Sequence, residues 1–482
     1  MELKSFLIFA TTLLLMGCSG SINPAQPPPN KQYQGTSLNL SCPDEQLRSL
    51  LEPMIQVWSK QTGAVVSVSR DRMGADGTDV AILPYAELGE WADRGDLLPV
   101  PSALREPGDS YQWGSILEVY RGEPYAGWGS QVFALPVASE GSIVVYRADR
   151  FADPKSQEEF RKRFNRPLAA PASWEEFAEI AAFFAERDRR PSLPRIIADA
   201  ARLEDLFLRV AACYDRPVRT GDAQDTPDAL AFLFQLDSGA ARVNAKGFAE
   251  AGRWLAALKA KGCVPAEGSA DPAAALNEDR AVLAVASLAD LMKLKRDDKR
   301  AGRYGLAALP GTKSFVNPAT GTLTPSPVNT VPYLAGGWLA VVRRECKNPA
   351  AAFALLAELT GPIRSQELVA AGGFGPTRDT HLESDRLILW LGYGFDEART
   401  KTLQDALRSN LGKSVRNPAF GLRTPDQALL KQELRGELEK IATGSDSPDA
   451  GLKRLADSWD GDRKGAPRAK LLEWRRRAAG VN

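Results

Sequence analysis

The sequence predicts an α/β protein of two lobes or domains, and two observations carry that expectation. Short apolar strands alternate with amphipathic helices from residue 37 onward. The ~450 residues after the N-terminal region also exceed what a single hydrophobic core holds together. A composition of 44% hydrophobic and 25% charged residues is that of an ordinary globular chain.

The N-terminus comes first in the argument. Lys4 leads into an apolar run from Phe6 to Met16, and Gly17 puts a small residue before Cys18, so residues 1–17 read as a secretory signal peptide. The run is shorter than the ~20 residues that span a bilayer. Residues 18–35 carry three consecutive prolines and few apolar side chains, which predicts an extended tether. Leu15-Met16-Gly17-Cys18 resembles the bacterial lipobox, which implies acylation of Cys18 and a membrane-held lipoprotein facing the periplasm or cell exterior.

Ser37–Ser41 alternates as a strand, and Leu47, Leu50, Leu51, Met54 and Trp58 follow at helical spacing from Asp44. Val65–Ser69 and Thr78–Leu83 are strands, and a helix then runs through Leu88 and Trp91 to Gly95. This order predicts a lobe around a largely parallel sheet. Phe133–Pro136 and Gly141–Tyr146 are further strands. Ser173-Trp174-Glu175-Glu176 is a capping box that opens a helix through Phe184. Helices are expected over Leu203–Ala212, Pro227–Leu236 and Lys246–Lys261, and strands over Ala281–Ala286, Tyr304–Leu309 and Gly337–Val342. Asn317–Pro332 reads as a polar loop. Pro349–Leu359, Pro425–Ile441 and Asp449–Trp459 are helical, and the basic run that follows is either a solvated helix face or a contact for anionic lipid.

Several chemistries lack their residues. One histidine, His381, leaves little room for Ser-His-Asp catalysis or a histidine metal site. No metal site and no cofactor is expected. With 61 Lys and Arg against 60 Asp and Glu, no long-range field favours nucleic acid as a partner. Beyond Cys18, four cysteines remain (Cys42, Cys213, Cys263 and Cys346). They allow three disulfide connectivities, Cys213–Cys263 being the preferred pair, or four buried thiols.

The segments Gly77–Val80 with Asp93–Pro99, Ala134–Pro136 with Val144–Arg147, and Ala172–Glu176 resemble, in order, those of the sugar-binding solute receptors of ABC importers, the family related to maltose-binding protein. Asn277–Ala286, Gly305–Gly311, Gly336–Val341 and the helices of Leu434–Trp459 continue that resemblance. It implies a two-lobed periplasmic-binding-protein-like fold of class II type, with lobes discontinuous in sequence and a ligand cleft between them. Lobe one is then expected over 36–140 plus 285–334, and lobe two over 143–282 plus 337–482.

The resemblance further implies that a small solute, a mono- or oligosaccharide, binds in the cleft and passes to the membrane subunits of an ABC permease, with no bond broken. Sugar recognition needs flat apolar faces and planar polar groups. Tyr85 and Glu87, just after a strand end, are therefore expected on the rim of lobe one. Glu140 falls where the family places a ligand carboxylate, and Trp338 follows Gly336-Gly337, whose bare backbone lets a ligand approach. Trp128, with Trp113 and Tyr125, stands in an aromatic loop and either stacks on a sugar or packs internally. Two rival functions fit the same residues: a binding lipoprotein that feeds a sensor, and a glycan hydrolase with a carboxylate pair.

Overall fold

A computed structural model of the chain describes residues 31–218, 231–294, 302–412, 415, 417–461 and 466–482. The signal peptide, Cys18 and most of the tether lie outside these residues. The longer strands are β1 (Ser37–Ser41), β2 (Val65–Ser69), β3 (Val80–Pro84), β4 (Ala134–Ala138), β5 (Ser142–Arg147), β6 (Leu283–Ser287), β7 (Tyr304–Ala307), β8 (Thr312–Val316), β9 (Leu323–Asn329) and β10 (Trp338–Val342). The main helices are α1 (Glu45–Thr62), α2 (Trp174–Asp188), α3 (Ala200–Asp215), α4 (Lys246–Ala260), α5 (Pro349–Thr360), α6 (Glu397–Leu411), α7 (Gln427–Thr443), α8 (Pro448–Asp460) and α9 (Arg468–Ala478).

The strands form two principal sheets, one for each lobe. In the first, β1 pairs in parallel with β2 and β3, and β10 runs antiparallel between β3 and β4. The expected parallel sheet is thus confined to β2-β1-β3, because β10 enters from the opposite end. The second sheet, β6-β5-β7, is antiparallel throughout. Along β5 the side chains alternate between two cores: Val144 faces α2 and α3, whereas Ile143 and Val145 join the core that continues into the first lobe.

Local chemistry starts the helices where the sequence places them. Asp44 accepts a hydrogen bond from the Leu47 amide at 2.7 Å at the head of α1. Ser173 accepts from the Glu176 amide at 3.2 Å at the head of α2. The Glu176 carboxylate reaches back to the Ala172 amide at 3.0 Å, one residue before the position expected of a capping box.

The second half of the chain is shared between the lobes differently from the expectation. β6, β7 and the β8–β9 hairpin stay with the second lobe, so 285–334 does not return to the first. β10 and α5 belong to the first lobe, within the stretch 337–482 expected in the second. The reason is apolar: Leu339–Val342 is buried throughout, and only a central position between two strands covers both its faces. Three of the segments that cross between the lobes come together: Ser139–Gly141, Ala335–Gly337, and the stretch from Gly372 to α6. α9 returns to the first lobe, where the indole of Trp474 and the ammonium of Lys470 both donate to Asp93 at 2.7 and 3.2 Å.

Other expectations change with the packing. Asn317–Pro332 is not an open loop, since 323–329 forms β9 and pairs with β8. Ala231–Leu236, expected as helix, is irregular; its buried rings face Phe248 and Trp459 on different neighbours, as no single helical stripe permits. The end of the tether is folded: Tyr33 stacks on Trp58 at 5.8 Å and its amide donates to Thr62. Cys42, Cys213, Cys263 and Cys346 are buried free thiols, and Cys213 lies against the Val331 carbonyl and not against Cys263.

Candidate functional site

The three crossing segments meet around Glu140. Ser139 exchanges backbone hydrogen bonds with Gly375, and its hydroxyl donates to the Pro376 carbonyl at 2.9 Å. The Tyr125 hydroxyl donates to the Gly336 carbonyl at 2.8 Å. A methyl group on Gly336 would overlap the Glu140 carboxylate, and one on Gly337, at φ +104°, would strike the Tyr125 hydroxyl. The glycine pair thus makes room for a carboxylate and a phenol of the protein itself.

A cavity of about 400 Å³ opens at this junction, mainly on the second-lobe side. Its lining comes from the Glu140 crossing, from β5 and β6 (Ser142, Val285, Ser287), from α2 and α3 (Phe177, Arg202, Glu204, Asp205), from Tyr333 and from α7 (Lys431, Arg435). Charge dominates it, and most of that charge is paired. Arg202 holds Asp290 through two bonds of 2.8 and 2.9 Å and approaches Asp199 at 3.2 Å. Arg209 donates to Asp205 at 2.6 Å, to the Tyr333 carbonyl at 3.1 Å and to the Ser142 hydroxyl at 3.3 Å. Arg435 donates to the buried Glu204 at 2.6 Å.

Glu140 and Lys431 are the exceptions: among the described residues neither makes a direct hydrogen bond or ion pair. Glu140 is open to the cavity yet ringed by protein. Removal from bulk water, with the Asp205 charge nearby, raises its carboxyl above the ordinary carboxylate range. Lys431 is half-buried, and desolvation pulls its ammonium below the usual lysine range against the fields of Glu204, Glu140 and Glu87. Glu87 belongs to the first lobe, so the Lys431 ammonium feels carboxylates from both lobes and the crossing between them. Burial raises Glu87 as well, and its nearest cation is the exposed Arg72 at 3.8 Å.

Of the residues expected to hold ligand, the structure brings Glu140 to the cavity, whereas Glu87 lies outside its lining, beside Arg72. Trp338 is half-buried at the start of β10, opposite Pro84 and Ala138. Tyr85 and Trp128 are elsewhere. Tyr85 is fully buried, stacked on Tyr125 at 4.8 Å, and burial pushes its hydroxyl up to about 12. Both Tyr85 and Trp128 flank the guanidinium of Arg423, at 5.6 and 5.9 Å. Among the described residues Arg423 pairs with no carboxylate; its donors go to the carbonyls of Glu123, Tyr125, Gly127 and Ala478. The aromatic loop is thereby fixed as structure. Arg378 fixes its other end, with its guanidinium 4.8 Å over Tyr111, whose ring lies 6.2 Å from that of the half-buried Trp113.

Sequence reasoning missed Lys431, Glu204, Asp205 and Tyr333. The signal for two of them was available: Glu204-Asp205 interrupts the otherwise apolar face of α3. His381 is a core residue, with Nε2 3.1 Å from the Ser365 hydroxyl and Nδ1 accepting from the Thr377 amide. Burial and the Arg378 charge push it down to about 3, so it stays neutral.

The family model of bacterial extracellular solute-binding proteins matches residues 68–388, more than half of the chain. The chain belongs to that family. No curated protein sequence matches it. Solved structures share the fold of this solute-binding protein at low sequence identity. The sugar-binding protein MalE from Xanthomonas citri superposes with a TM-score of 0.65 at 15% identity, over 88% of this chain and 96% of its own. The cyclic alpha-maltosyl-1,6-maltose binding protein from Arthrobacter globiformis gives 0.62 at 16% identity, over 91% and 99%. The GacH receptor of Streptomyces glaucescens, solved with acarbose, gives 0.60 at 14% identity, over 88% and 97%. The two-lobed fold is therefore that of periplasmic sugar-binding proteins.

Proposed function

We propose that this solute-binding protein takes a carbohydrate into the cavity at Glu140 and passes it to an ABC permease, held at the membrane by a lipid on Cys18. The observation that carries the ligand reading is the cavity itself. It lies where the crossings meet, the place at which a closing movement of the lobes changes most contacts. Ser142 and Ser287 supply hydroxyls, Phe177 and Tyr333 supply rings, and a carboxylate and an ammonium stand unpaired in it. That inventory suits a hydroxyl-rich solute. The relatives in structure point the same way, since their names record maltose-type sugars and acarbose.

The arrangement favours binding over hydrolysis. Carboxylate-pair chemistry needs two free acids flanking one bond. In the cavity Asp199, Glu204 and Asp205 each hold an arginine, which leaves Glu140 alone.

A thermal-shift screen of the mature chain against sugars, oligosaccharides and polyols tests the reading. Saturating ligand at 100 times Kd adds about 2.7 kcal/mol of stability, a plain rise in melting temperature. The sugar should be recovered unchanged after incubation. If peptides or polyamines shift the melting temperature and no carbohydrate does, the ligand class is wrong. Radiolabelled palmitate incorporation that disappears in Cys18→Ala tests the anchor.

A further inference from the structure

We propose that Lys431 is a ligand-binding, specificity-determining residue of the cavity: its ammonium and the Glu140 carboxylate form a donor–acceptor pair that takes neighbouring hydroxyls of a compact, uncharged polyol or sugar. The inference rests on the carbohydrate reading above and names the residues and the ligand subclass within it.

Three observations carry it. The first is the pairing pattern. Every arginine lining the cavity is held by a carboxylate at hydrogen-bond distance, whereas Lys431 and Glu140 are left without a direct partner among the described residues. Ionic groups taken partly out of water and left unpaired are costly, and a site retains them where a ligand supplies the missing bonds.

The second is placement. Lys431 sits on α7, a different element from the one that carries Glu140, and both line the same cavity without forming an ion pair with each other. The space between them calls for a bridging group. A vicinal diol fits, because one hydroxyl donates to the carboxylate while its neighbour accepts from the ammonium. A ligand bearing net charge meets one member of the pair as a like charge: an acid meets Glu140, and an amine meets Lys431 with Arg435 one turn away.

The third is size and reach. About 400 Å³ lies near the small end of ligand pockets, which run from roughly 300 to 1,000 Å³. The aromatic side chains that could extend a stacking platform along a longer chain, Tyr85, Tyr125 and Trp128, are closed off around Arg423. Glu140 lies in the Ser139–Gly141 crossing, so a ligand bridging Lys431 and Glu140 is held where both lobes meet.

Isothermal titration of the mature chain with ribitol, glucose, maltotriose, glucosamine and glucuronate tests the proposal, using wild type, Lys431→Met, Glu140→Gln and the double variant. The expected result is binding of ribitol or glucose, with glucosamine and glucuronate at least tenfold weaker. Each single variant loses at least tenfold in affinity, and the double variant loses no more than the worse single one, as coupled contacts to one ligand group require. Unchanged melting temperature of ligand-free Lys431→Met shows that the loss is not misfolding. Wild-type affinity in Lys431→Met overturns the residue assignment. Binding of maltotriose but of neither small neutral compound overturns the compact-ligand inference and leaves the carbohydrate reading standing. Tighter binding of either charged sugar overturns the neutral-ligand inference. Failure of every carbohydrate, with another solute class binding, overturns both readings together.

Discussion

Two cations near the hinge, Arg423 and Lys431, stand eight positions apart in sequence and live in opposite surroundings. Arg423 is 1% exposed, capped by the rings of Tyr85 and Trp128, and its donors are consumed by four backbone carbonyls. Lys431 is half-buried in a cavity of carboxylates and touches none of them. A buried polar group whose bonds are complete contributes to the fold, and one whose bonds are incomplete marks where something else binds. By that criterion the aromatic loop is architecture, and the Glu140–Lys431 cavity is the site proposed above.

The largest expected effect tests the architectural side. Arg423→Met leaves the carbonyls of Tyr125, Gly127 and Ala478 without the guanidinium's donors in a space closed to water, and leaves that of Glu123 with only the Gly127 amide. Such losses amount to about 3–5 kcal/mol, and scanning calorimetry should show a drop in melting temperature of several degrees. Lys431→Met, by contrast, should leave the ligand-free melting temperature close to wild type. Equal destabilisation by the two substitutions would break the contrast.

His381 extends the comparison to a titrating group. Its neutral ring is satisfied at both nitrogens, and its folded pKa of about 3 lies far below the ordinary value of 6.5. The unfolded chain therefore binds a proton that the folded chain refuses. Stability from this source is complete above about pH 6.5 and is lost as pH falls from there toward 3, at about 1.4 kcal/mol per pH unit. Because His381 is the single histidine, a His381→Gln variant should flatten the slope between pH 6.5 and 5 in thermal unfolding. Persistence of the wild-type slope in that variant would assign it to carboxylates.

The contrast also explains what the sequence made legible. Strands and helices with their own local signals came through: the alternation of Ser37–Ser41, the cap at Asp44, and Ser173 at the head of α2. Glu140 was singled out through the family resemblance, which puts a ligand carboxylate at the first crossing after a strand. Arg423 was not, since three of its four partners are carbonyls 296 to 300 positions away, and carbonyls carry no residue identity. Lys431 was hidden for the opposite reason. A lysine on an amphipathic helix is ordinary, and only the fold shows that this face of α7 meets α3 and the Glu140 crossing. The rings of Tyr85 and Trp128 misled because an aromatic suits a sugar face and a guanidinium face equally well. The placing of β6 to β9 in the second lobe and of β10 and α5 in the first has a similar root: several apolar strands of like composition are available, and pairing partners are long-range.

Tyr85 gives a smaller test of the architectural cluster. Its hydroxyl reaches the carbonyls of Pro124 and Gly421 only at 3.4 Å, so Tyr85→Phe removes little hydrogen bonding and keeps the stack on Tyr125 and the face toward Arg423. A loss of about 0.5–1 kcal/mol is expected by calorimetry, with ligand affinity unchanged. A large loss of affinity would return Tyr85 to the binding surface.

The smallest effect has the opposite sign. Glu140 is held above its ordinary pKa by desolvation, so the folded chain binds its proton more tightly than the unfolded chain does. Stability from this group is present below the unfolded value of 4.5 and is lost as pH rises through the raised folded value. At neutral pH its ionised form is a net cost to the ligand-free protein. Glu140→Gln removes that cost in nearly the same shape, and melting temperature at pH 7 should rise slightly. The gain is a fraction of a kcal/mol, about the size of a screened surface interaction, because cavity water reaches the carboxylate. At pH 4 the variant and wild type should converge. A substitution that stabilises the empty protein while weakening its ligand separates the two kinds of residue: Arg423 costs stability when lost, and Glu140 costs stability when kept. A fall in melting temperature at pH 7 would place Glu140 with Arg423, as a structural group, and leave Lys431 without its partner.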